Sequence, residues 1–279
     1  MQITEIKPGI FACLMANETA NAGFVVTEQG VIVIDTLDTP ARGRELAAAI
    51  AARTGKPVLL AINTHHHYDH VFGNQAFTAP IVAHSTLPGQ LAQAAARDLM
   101  PISIAAWISE HPKDHWMADE LELVYPHILF ERRLVLNLPP VRMVVQHLEG
   151  HTRESIAVDL PDEGVLFASD LVFEGRVPFL RHAHIENTLK ALRRLQRLGA
   201  RTVVPGHGNL CDMTYVVRFR DYVNDLREKV KELIAQGWEK GDVLDSDQLP
   251  PWWTQDRPEL LRANVARVYD ELVASTGSD

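Results

Sequence analysis

The sequence predicts an α/β protein in which strands alternate with helices. With 279 residues, of which 46% are hydrophobic and 23% charged, the chain has the size and composition of a globular protein with a substantial core. Short runs rich in valine and isoleucine alternate with segments of helical periodicity, which is typical of layered α/β folds. Several of these runs are paired across short turns, so we expect hairpins and not a purely parallel sheet.

The first 84 residues contain several predicted strands and one predicted helix. Residues 3–15 alternate as a strand with a turn at residues 7–9, and residues 21–27 and 30–34 form two further predicted strands. The helix is predicted over residues 40–53, with Thr39 as N-cap and Gly55 as the stop. Its apolar face comprises Leu46, Ala47, Ile50 and Ala51. Residues 57–62 and 79–84 are apolar and predict two more strands.

Residues 85–126 are the least regular part of the sequence. Helical signals from Pro88 to Leu99 are followed by a second, partly helical stretch. That stretch contains Trp107, His111, His115, Trp116 and Met117. Such an insertion can cover a site and line a hydrophobic substrate pocket. The alternative is that its aromatic and methionine side chains pack on the sheet or at a subunit contact.

The second half of the chain predicts strands followed by long helices. Strands are expected at residues 128–135, 141–147, 155–160, 165–168 and 201–204, with the third and fourth forming a hairpin. Helices are expected at residues 185–198, 215–234 and 258–273, the last with a capped start at Asp256. Trp252 and Trp253 lie in a rigid aromatic linker expected to pack against the body or a neighbouring subunit. We expect one domain over residues 1–279, with a core to about residue 212 and helices over 213–279.

Charge and cysteine content restrict the classes of partner. The formal net charge of −9 disfavours a nucleic-acid substrate, because an acidic surface repels phosphate. Cys13 and Cys211 lack the spacing of a zinc site or a disulfide framework and are expected to be buried structural residues. No window approaches the roughly 18 apolar residues of a membrane span, and the first residues do not resemble a leader. A cytoplasmic protein that does not bind membranes is therefore expected.

Metal-binding side chains are concentrated in residues 63–70, directly after the apolar run 57–62. The pattern is His65-x-His67-x-Asp69-His70. In an extended segment alternate residues point the same way, so His65 and His67 can bind one cation together. Asp69 and His70 then turn toward a second ion. Imidazole and carboxylate ligands suit zinc, iron or manganese.

Three later segments complete a resemblance to a known family. They are Gly150-His151-Thr152, Ala168-Ser169-Asp170, which is expected to end a strand, and Pro205-Gly206-His207-Gly208. Together with the histidine-rich loop, and in this order, they resemble the motifs of the metallo-β-lactamase fold superfamily over residues 5–210. The resemblance implies a four-layer αββα sandwich with a C-terminal helical extension.

The resemblance also implies a dinuclear metal centre similar to that of glyoxalase II. His65, His67 and His151 would bind the first ion, Asp69, His70 and His207 the second, and Asp170 would bridge them. Two Zn2+ ions are expected, with iron or manganese as alternatives. The metallo-β-lactamases proper have cysteine or serine at the Asp170 position, so β-lactamase action is expected only as a side activity. Asp35, at the end of a predicted strand, either orients a metal-bound histidine or makes a local turn or cap contact.

The expected reaction is hydrolysis of a small-molecule ester, thioester, lactone or amide by a metal-bridging hydroxide. Asp69 is the candidate catalytic residue, which steers the nucleophile or shuttles its proton. One alternative is a mononuclear iron persulfide dioxygenase of the same fold, and another is a non-catalytic metal-binding protein. A homodimer is also expected, from the C-terminal helices.

Five further residues are candidates for substrate binding, and ordinary packing or a solvated face is the alternative for each. They are Tyr68, Phe72, Arg176, His182 and His184. His66, His84, His127 and His147 are expected to be structural.

Overall fold

A computed structural model describes residues 1–16, 19–251 and 257–276. The chain forms two compact units, Met1–His147 and Leu148–Asp279. The expectation of one domain over the whole chain stays a prediction. Trp252, Trp253 and Asp256, which the sequence assigns to a packed linker and a helix cap, lie outside the described residues.

The first unit contains a seven-stranded mixed sheet with the strands in chain order. Neighbouring strands from β1 to β4 are antiparallel, and those from β4 to β7 are parallel. The prediction that hairpins accompany parallel strands is therefore confirmed. The strands are β1 (Gln2–Lys7), β2 (Ile10–Leu14), β3 (Ala22–Val26), β4 (Val31–Ile34), β5 (Val58–Ile62), β6 (Ile81–His84) and β7 (Ile128–Phe130).

Helix α1 (Pro40–Arg53) has the predicted bounds and the predicted cap. The Thr39 side chain accepts a hydrogen bond from the Arg42 N–H at 3.0 Å. Leu46 and Ile50 are fully buried against the sheet residues of the first unit. After β5, the chain passes through the histidine-rich loop into the short helix α2 (Tyr68–Val71) and a 3-10 turn, Phe72–Ala76.

The insertion forms three helices, α3 (Leu87–Asp98), α4 (Pro101–Glu110) and α5 (Trp116–Asp119). Leu87, Leu91 and Trp116 pack with Phe72 in one hydrophobic cluster, as the packing alternative predicts. Helix α4, all of whose residues are described, buries none of its side chains, and Trp107 is 47% exposed. The insertion is thus packed at its ends and exposed in the middle.

The prediction of one strand over residues 128–135 is wrong, because Glu131 and Arg132 interrupt the strand. Strand β7 pairs with β6, whereas β8 (Arg133–Leu138) pairs with β9 (Val141–His147). Strands β7 and β8 pair with different neighbouring strands. An alternating sequence pattern predicts a strand but not which strand it pairs with, so the interruption could not be predicted.

The second unit begins with three neighbouring strands. These are β10 (Ile156–Leu160), β11 (Val165–Phe173) and β12 (Thr202–His207). β10 and β11 form the predicted antiparallel hairpin, and β11 pairs with β12 in parallel. The expectation that a strand ends at Asp170 is wrong, because the apolar residues 171–173 continue it. Ser169 has φ +49° and interrupts the register there, so Asp170 lies at an irregular point of the strand.

Helices complete the second unit. They are α6 (Ile185–Leu198), α7 (Met213–Ala235), α8 (Lys240–Leu244) and α9 (Pro258–Thr276), of which α8 was not predicted. Buried side chains of α6, α7 and α9, among them Leu192, Leu226 and Val268, form one hydrophobic core with β11. None of the described helices is both long enough and apolar enough to cross a membrane.

Both cysteines are free thiols. Cys13 is fully buried, as predicted, whereas Cys211 is only partly buried. Burial raises the pKa of each thiol to about 12.

Candidate metal centre

The histidine-rich loop of the first unit brings its imidazoles together directly after β5. His65 and His70 are buried, with exposures of 1% and 0%. Nε2 of His65 lies 3.0 Å from Nδ1 of His67, and the His65 and His70 ring centroids are 4.1 Å apart. Asp69 is half-buried in α2, and its carboxylate lies within 4.8 Å of a ring nitrogen of His70. Four predicted ligands are therefore gathered in this unit.

Asp35 holds His70 in place. One carboxylate oxygen, Oδ2, lies 2.7 Å from His70 Nδ1, and both groups are almost completely buried. The same carboxylate accepts hydrogen bonds from the Thr64 N–H at 2.8 Å and the Thr64 hydroxyl at 2.7 Å. The contact with His70 agrees with the orienting role of Asp35, whereas the contacts with Thr64, 29 residues away, are not the local turn or cap contact that was the alternative. With Nδ1 engaged, His70 presents Nε2 to a cation.

A buried amide network, which sequence reasoning missed, supports this loop. The side chains of Asn63 and Asn74 exchange two hydrogen bonds of 2.9 Å. The Thr36 hydroxyl donates to Asn74 Oδ1 at 2.9 Å, and the Thr36 N–H donates to the His70 carbonyl at 2.9 Å. These partners are up to 38 residues apart, so no local pattern reveals them.

Negative charge accumulates near the loop. Burial raises the pKa of Asp38, the nearby Arg42 guanidinium lowers it, and the negative charge of Asp69 adds to the rise. A cation close to these carboxylates would relieve their mutual repulsion.

The second unit places one carboxylate oxygen between two histidines. Asp170 Oδ2 lies 3.2 Å from His151 Nε2 and 3.4 Å from His207 Nε2. All three side chains are at least nine-tenths buried. Gly206 makes room for the carboxylate, because a Cβ at that position would lie 1.9 Å from Asp170 Oδ1. Asp170 is therefore in contact with both predicted histidine ligands of this unit.

Two residues of the β11–α6 connection and one of β11 surround these histidines. Arg176 is 9% exposed, and its Nη1 lies 3.1 Å from His207 Nδ1. The Phe173 ring stacks on His207 with centroids 5.1 Å apart. The ring of Phe179, which sequence reasoning missed, lies 6.2 Å from that of His151. A half-buried phenylalanine in a loop carries no sequence signal that separates it from a core residue.

The remaining substrate candidates have diverse surroundings, and their assignment stays a prediction. Tyr68 is 58% exposed, whereas Phe72 is 7% exposed and packs near Trp116. His182 is exposed and meets Phe179 edge-on, with centroids 5.3 Å apart. His184 is the N-cap residue of α6, and its Nδ1 lies 3.2 Å from Glu271.

Three of the four histidines expected to be structural, His84, His127 and His147, have contacts away from the predicted ligands. His84 stacks on His147 with centroids 3.8 Å apart, and its Nε2 lies 2.9 Å from the Glu131 carbonyl oxygen. His127 accepts a hydrogen bond from the Ile81 N–H at 3.2 Å.

The donor set of both units fits a divalent metal of the zinc, iron or manganese type. The clustered side chains offer imidazole nitrogens and carboxylate oxygens, which these ions accept. Residues 17–207 match the family model of the metallo-beta-lactamase superfamily. The chain belongs to this superfamily. The αββα fold class that the motifs implied, with additional C-terminal helices, is thereby confirmed.

Two proteins with similar sequences are named for different reactions. The human acyl-coenzyme A thioesterase MBLAC2 is 31% identical over 163 residues, which cover 54% of this chain and 56% of the thioesterase. The 2,4-dinitroanisole O-demethylase subunit beta of Nocardioides sp. is 27% identical over 250 residues, covering 88% of this chain and 66% of that subunit. The chain thus matches little more than half of the thioesterase's length.

The solved structure of a metallo-beta-lactamase from Pontibacter korlensis has the same fold as this chain. It superposes with a TM-score of 0.62 at 21% identity, covering 80% of this chain and 99% of the other. At this identity the likeness concerns the fold alone.

Proposed function

We propose that this protein is a dinuclear metal-dependent hydrolase of small-molecule acyl compounds, with thioesters as its principal substrates. The observation that carries the proposal is the position of Asp170, whose Oδ2 contacts both His151 and His207. The contact of one carboxylate with two histidines that are assigned to different ions supports a bridging role for Asp170. The superfamily pattern assigns His65, His67 and His151 to one ion and Asp69, His70 and His207 to the other, with Asp170 shared.

The bound ions would supply a hydroxide near neutral pH and polarise the substrate carbonyl. The chain's own residues act around this chemistry. Asp35 keeps the His70 ring in one orientation through the 2.7 Å contact. Asp69 receives the proton of the nucleophile at its carboxylate and passes it to the leaving group. Zinc is the expected metal, because imidazole dominates the donor set.

The thioester preference rests on the likeness to a protein named acyl-coenzyme A thioesterase. Esters, lactones and amides present the same carbonyl and belong to the same proposal, with β-lactams as side substrates. A second candidate is removal of a methyl group from an aromatic methyl ether, because the demethylase subunit matches 88% of the chain.

The test combines metal analysis with a substrate panel on the purified protein. Elemental mass spectrometry should find about two equivalents of metal. The panel contains acetyl- and octanoyl-coenzyme A, an aryl ester, a lactone, a chromogenic β-lactam and dinitroanisole. Asp170→Asn should lose metal and all turnover, whereas His127→Gln, which changes a histidine whose ring accepts a hydrogen bond from the Ile81 N–H, should keep both.

Other outcomes identify the alternatives. One equivalent of iron together with oxygen uptake on a persulfide would establish the dioxygenase. Bound metal without turnover of any substrate would indicate a non-catalytic metal-binding protein. Turnover of dinitroanisole alone would favour demethylation of an aromatic methyl ether. Two equivalents of metal and full turnover in Asp170→Asn would refute the bridging assignment. The cytoplasmic location and the homodimer stay predictions, the latter measurable by light scattering.

A further inference from the structure

The connection between β11 and α6, residues 174–184, has an inner and an outer side. Val177, Leu180 and Ala183 are 1%, 2% and 0% exposed and pack into the core of the second unit. Phe179 is half-buried and His182 is exposed, and their rings meet edge-on. Three buried anchors therefore fix a short segment that presents an aromatic pair on its other side.

One apolar side chain of this segment, Phe179, approaches a predicted metal ligand. Its ring centroid lies 6.2 Å from that of His151, with the ring planes 62° apart. An apolar side chain at this distance from a ligand can contact a group next to the bond that is cleaved, without taking part in coordination.

A buried amide on α9 holds both neighbours of Phe179. Asn264 is 0% exposed. Its Oδ1 accepts a hydrogen bond from the Leu180 N–H at 3.0 Å, and its Nδ2 donates to the Pro178 carbonyl at 2.8 Å. The backbone on each side of Phe179 is thus fixed by one side chain.

Two more α9 side chains hold the end of the segment. Arg267 Nε donates to the Ala183 carbonyl at 2.6 Å. The Glu271 carboxylate accepts from the N–H groups of Ile185 and Glu186 at 2.9 and 3.2 Å, and also lies 3.0 Å from Arg267 Nη2. A carboxylate at the first turn of α6 also interacts favourably with the helix dipole.

We propose that α9 is a positioning element for substrate recognition and that Phe179 is the specificity-determining residue it positions, receiving an apolar acyl group. The inference rests on the proposed hydrolase function. The family match ends at residue 207, so α9 lies outside the part shared with the superfamily model. A helix that only packed on the core would need Val265 and Val268 but no buried amide bonded to a loop backbone.

The first part of the test compares Phe179→Ala and Phe179→Leu with the wild type on acetyl- and octanoyl-coenzyme A. In Phe179→Ala, kcat/KM for the octanoyl substrate should fall about 10-fold or more, because a hydrophobic contact is lost. The acetyl substrate should change less than about twofold, because it does not reach the ring. Phe179→Leu should recover part of the difference. An equal loss on both substrates would overturn the assignment.

The second part tests positioning. Asn264→Ala should reduce octanoyl selectivity in the same direction while metal content is retained, and amide hydrogen exchange should accelerate at residues 178–184. Asp270→Asn is the matched control, because Asp270 lies on the same helix but pairs with Lys240. Asn264→Asp, which keeps the acceptor for Leu180 and loses the donor to Pro178, is used if the alanine variant does not fold. Unchanged selectivity or uniform exchange across the second unit would contradict the role of α9.

The same variants separate this inference from the proposed function. If the wild type hydrolyses no thioester, binding of octanoate, measured by calorimetry, still reports on Phe179. Weaker octanoate binding by Phe179→Ala and Asn264→Ala, but not by Asp270→Asn, would then support the segment as an apolar binding site. Equal octanoate binding by all four proteins would refute it.

Discussion

Asp35 is the residue that most directly orients His70, which is a proposed metal ligand. Its carboxylate is buried and lies 2.7 Å from His70 Nδ1. Replacement of such an orienting group typically costs 10–100-fold in metal affinity. We therefore expect Asp35→Asn to weaken binding of one of two ions by about this factor. Competition with a graded series of chelators measures the effect.

The control for Asp35→Asn is Asp98→Asn, which removes an exposed carboxylate paired with Arg97 on α3. It should leave both ions bound at wild-type affinity. Asp35 also accepts two hydrogen bonds from Thr64, so the metal-free Asp35→Asn variant should lose about 1–3 kcal/mol of stability in urea unfolding. Wild-type chelator resistance in this variant would mean that His70 needs no orienting partner.

Gly206 leaves room for the Asp170 carboxylate. A Cβ there would lie 1.9 Å from Asp170 Oδ1 and 2.7 Å from the Asp170 backbone nitrogen, so the carboxylate must rotate or the strand must shift. We expect Gly206→Ala to bind less than half of the wild-type metal, as measured by elemental mass spectrometry. Gly55→Ala is the matched control, because an added Cβ at Gly55 meets nothing within 4 Å. Full metal content in Gly206→Ala would show that Asp170 tolerates displacement.

The clustering of imidazole and carboxylate side chains could be expected from four motifs that are each short and local in the sequence, although their role as ligands stays a prediction. The contacts that orient these side chains could not be expected, because Asp35 meets His70 across 35 residues and Asn264 meets Leu180 across 84. Phe179 resembled any core phenylalanine in the sequence, and only its distance from His151 distinguishes it. Sequence therefore indicated what can bind a metal, and tertiary structure indicated what holds the ligands still.

At the scale of elements, the helices followed their periodicity closely. The bounds of α1 and α6 were predicted correctly because capping residues and an apolar face define both. The bounds of the strands were harder to predict. The break between β7 and β8 reflects a change of pairing partner, and the length of β11 reflects apolar residues beyond a backbone irregularity at Ser169. Helix α8 has only five residues, too few to show a period.

The start of α1 offers a test confined to one element. The Thr39 side chain accepts the Arg42 N–H, so Thr39→Ala leaves one helix donor without its cap and should cost about 1 kcal/mol. Thr39→Ser keeps the oxygen and should cost little. Urea unfolding of the metal-free protein measures both variants, and metal stoichiometry should stay unchanged. Equal stabilities of the two variants would show that the cap contributes nothing.

At the scale of the whole molecule, three acidic groups with raised pKa values predict a loss of stability in alkali. Burial raises the pKa of Cys13 and of Cys211 to about 12, and nearby Glu174 and Asp212 add to the rise for Cys211. Burial also raises the pKa of Tyr222 well above its usual range. In the unfolded chain each group titrates near its ordinary pKa, so it loses its proton while the folded state keeps it.

The sign follows from this difference in bound protons. Below about pH 8.5 both states hold the thiol proton and the stability is unaffected. Between about pH 9 and pH 12 stability falls as pH rises, by at most about 1.4 kcal/mol per pH unit for the fully buried thiol of Cys13. Cys13→Ala removes one of these protons, so its stability should fall less steeply with pH than that of the wild type, whatever its stability at pH 8.

Urea unfolding of the metal-free protein at pH 8, 9, 10 and 11 measures the slope. Phe11→Leu, a change without a titrating group on the same strand, should keep the wild-type slope. An identical slope in Cys13→Ala and Phe11→Leu would mean that Cys13 exchanges its proton with solvent in the folded state. That result would contradict the complete burial of Cys13 and would indicate that water reaches strand β2 in the folded protein.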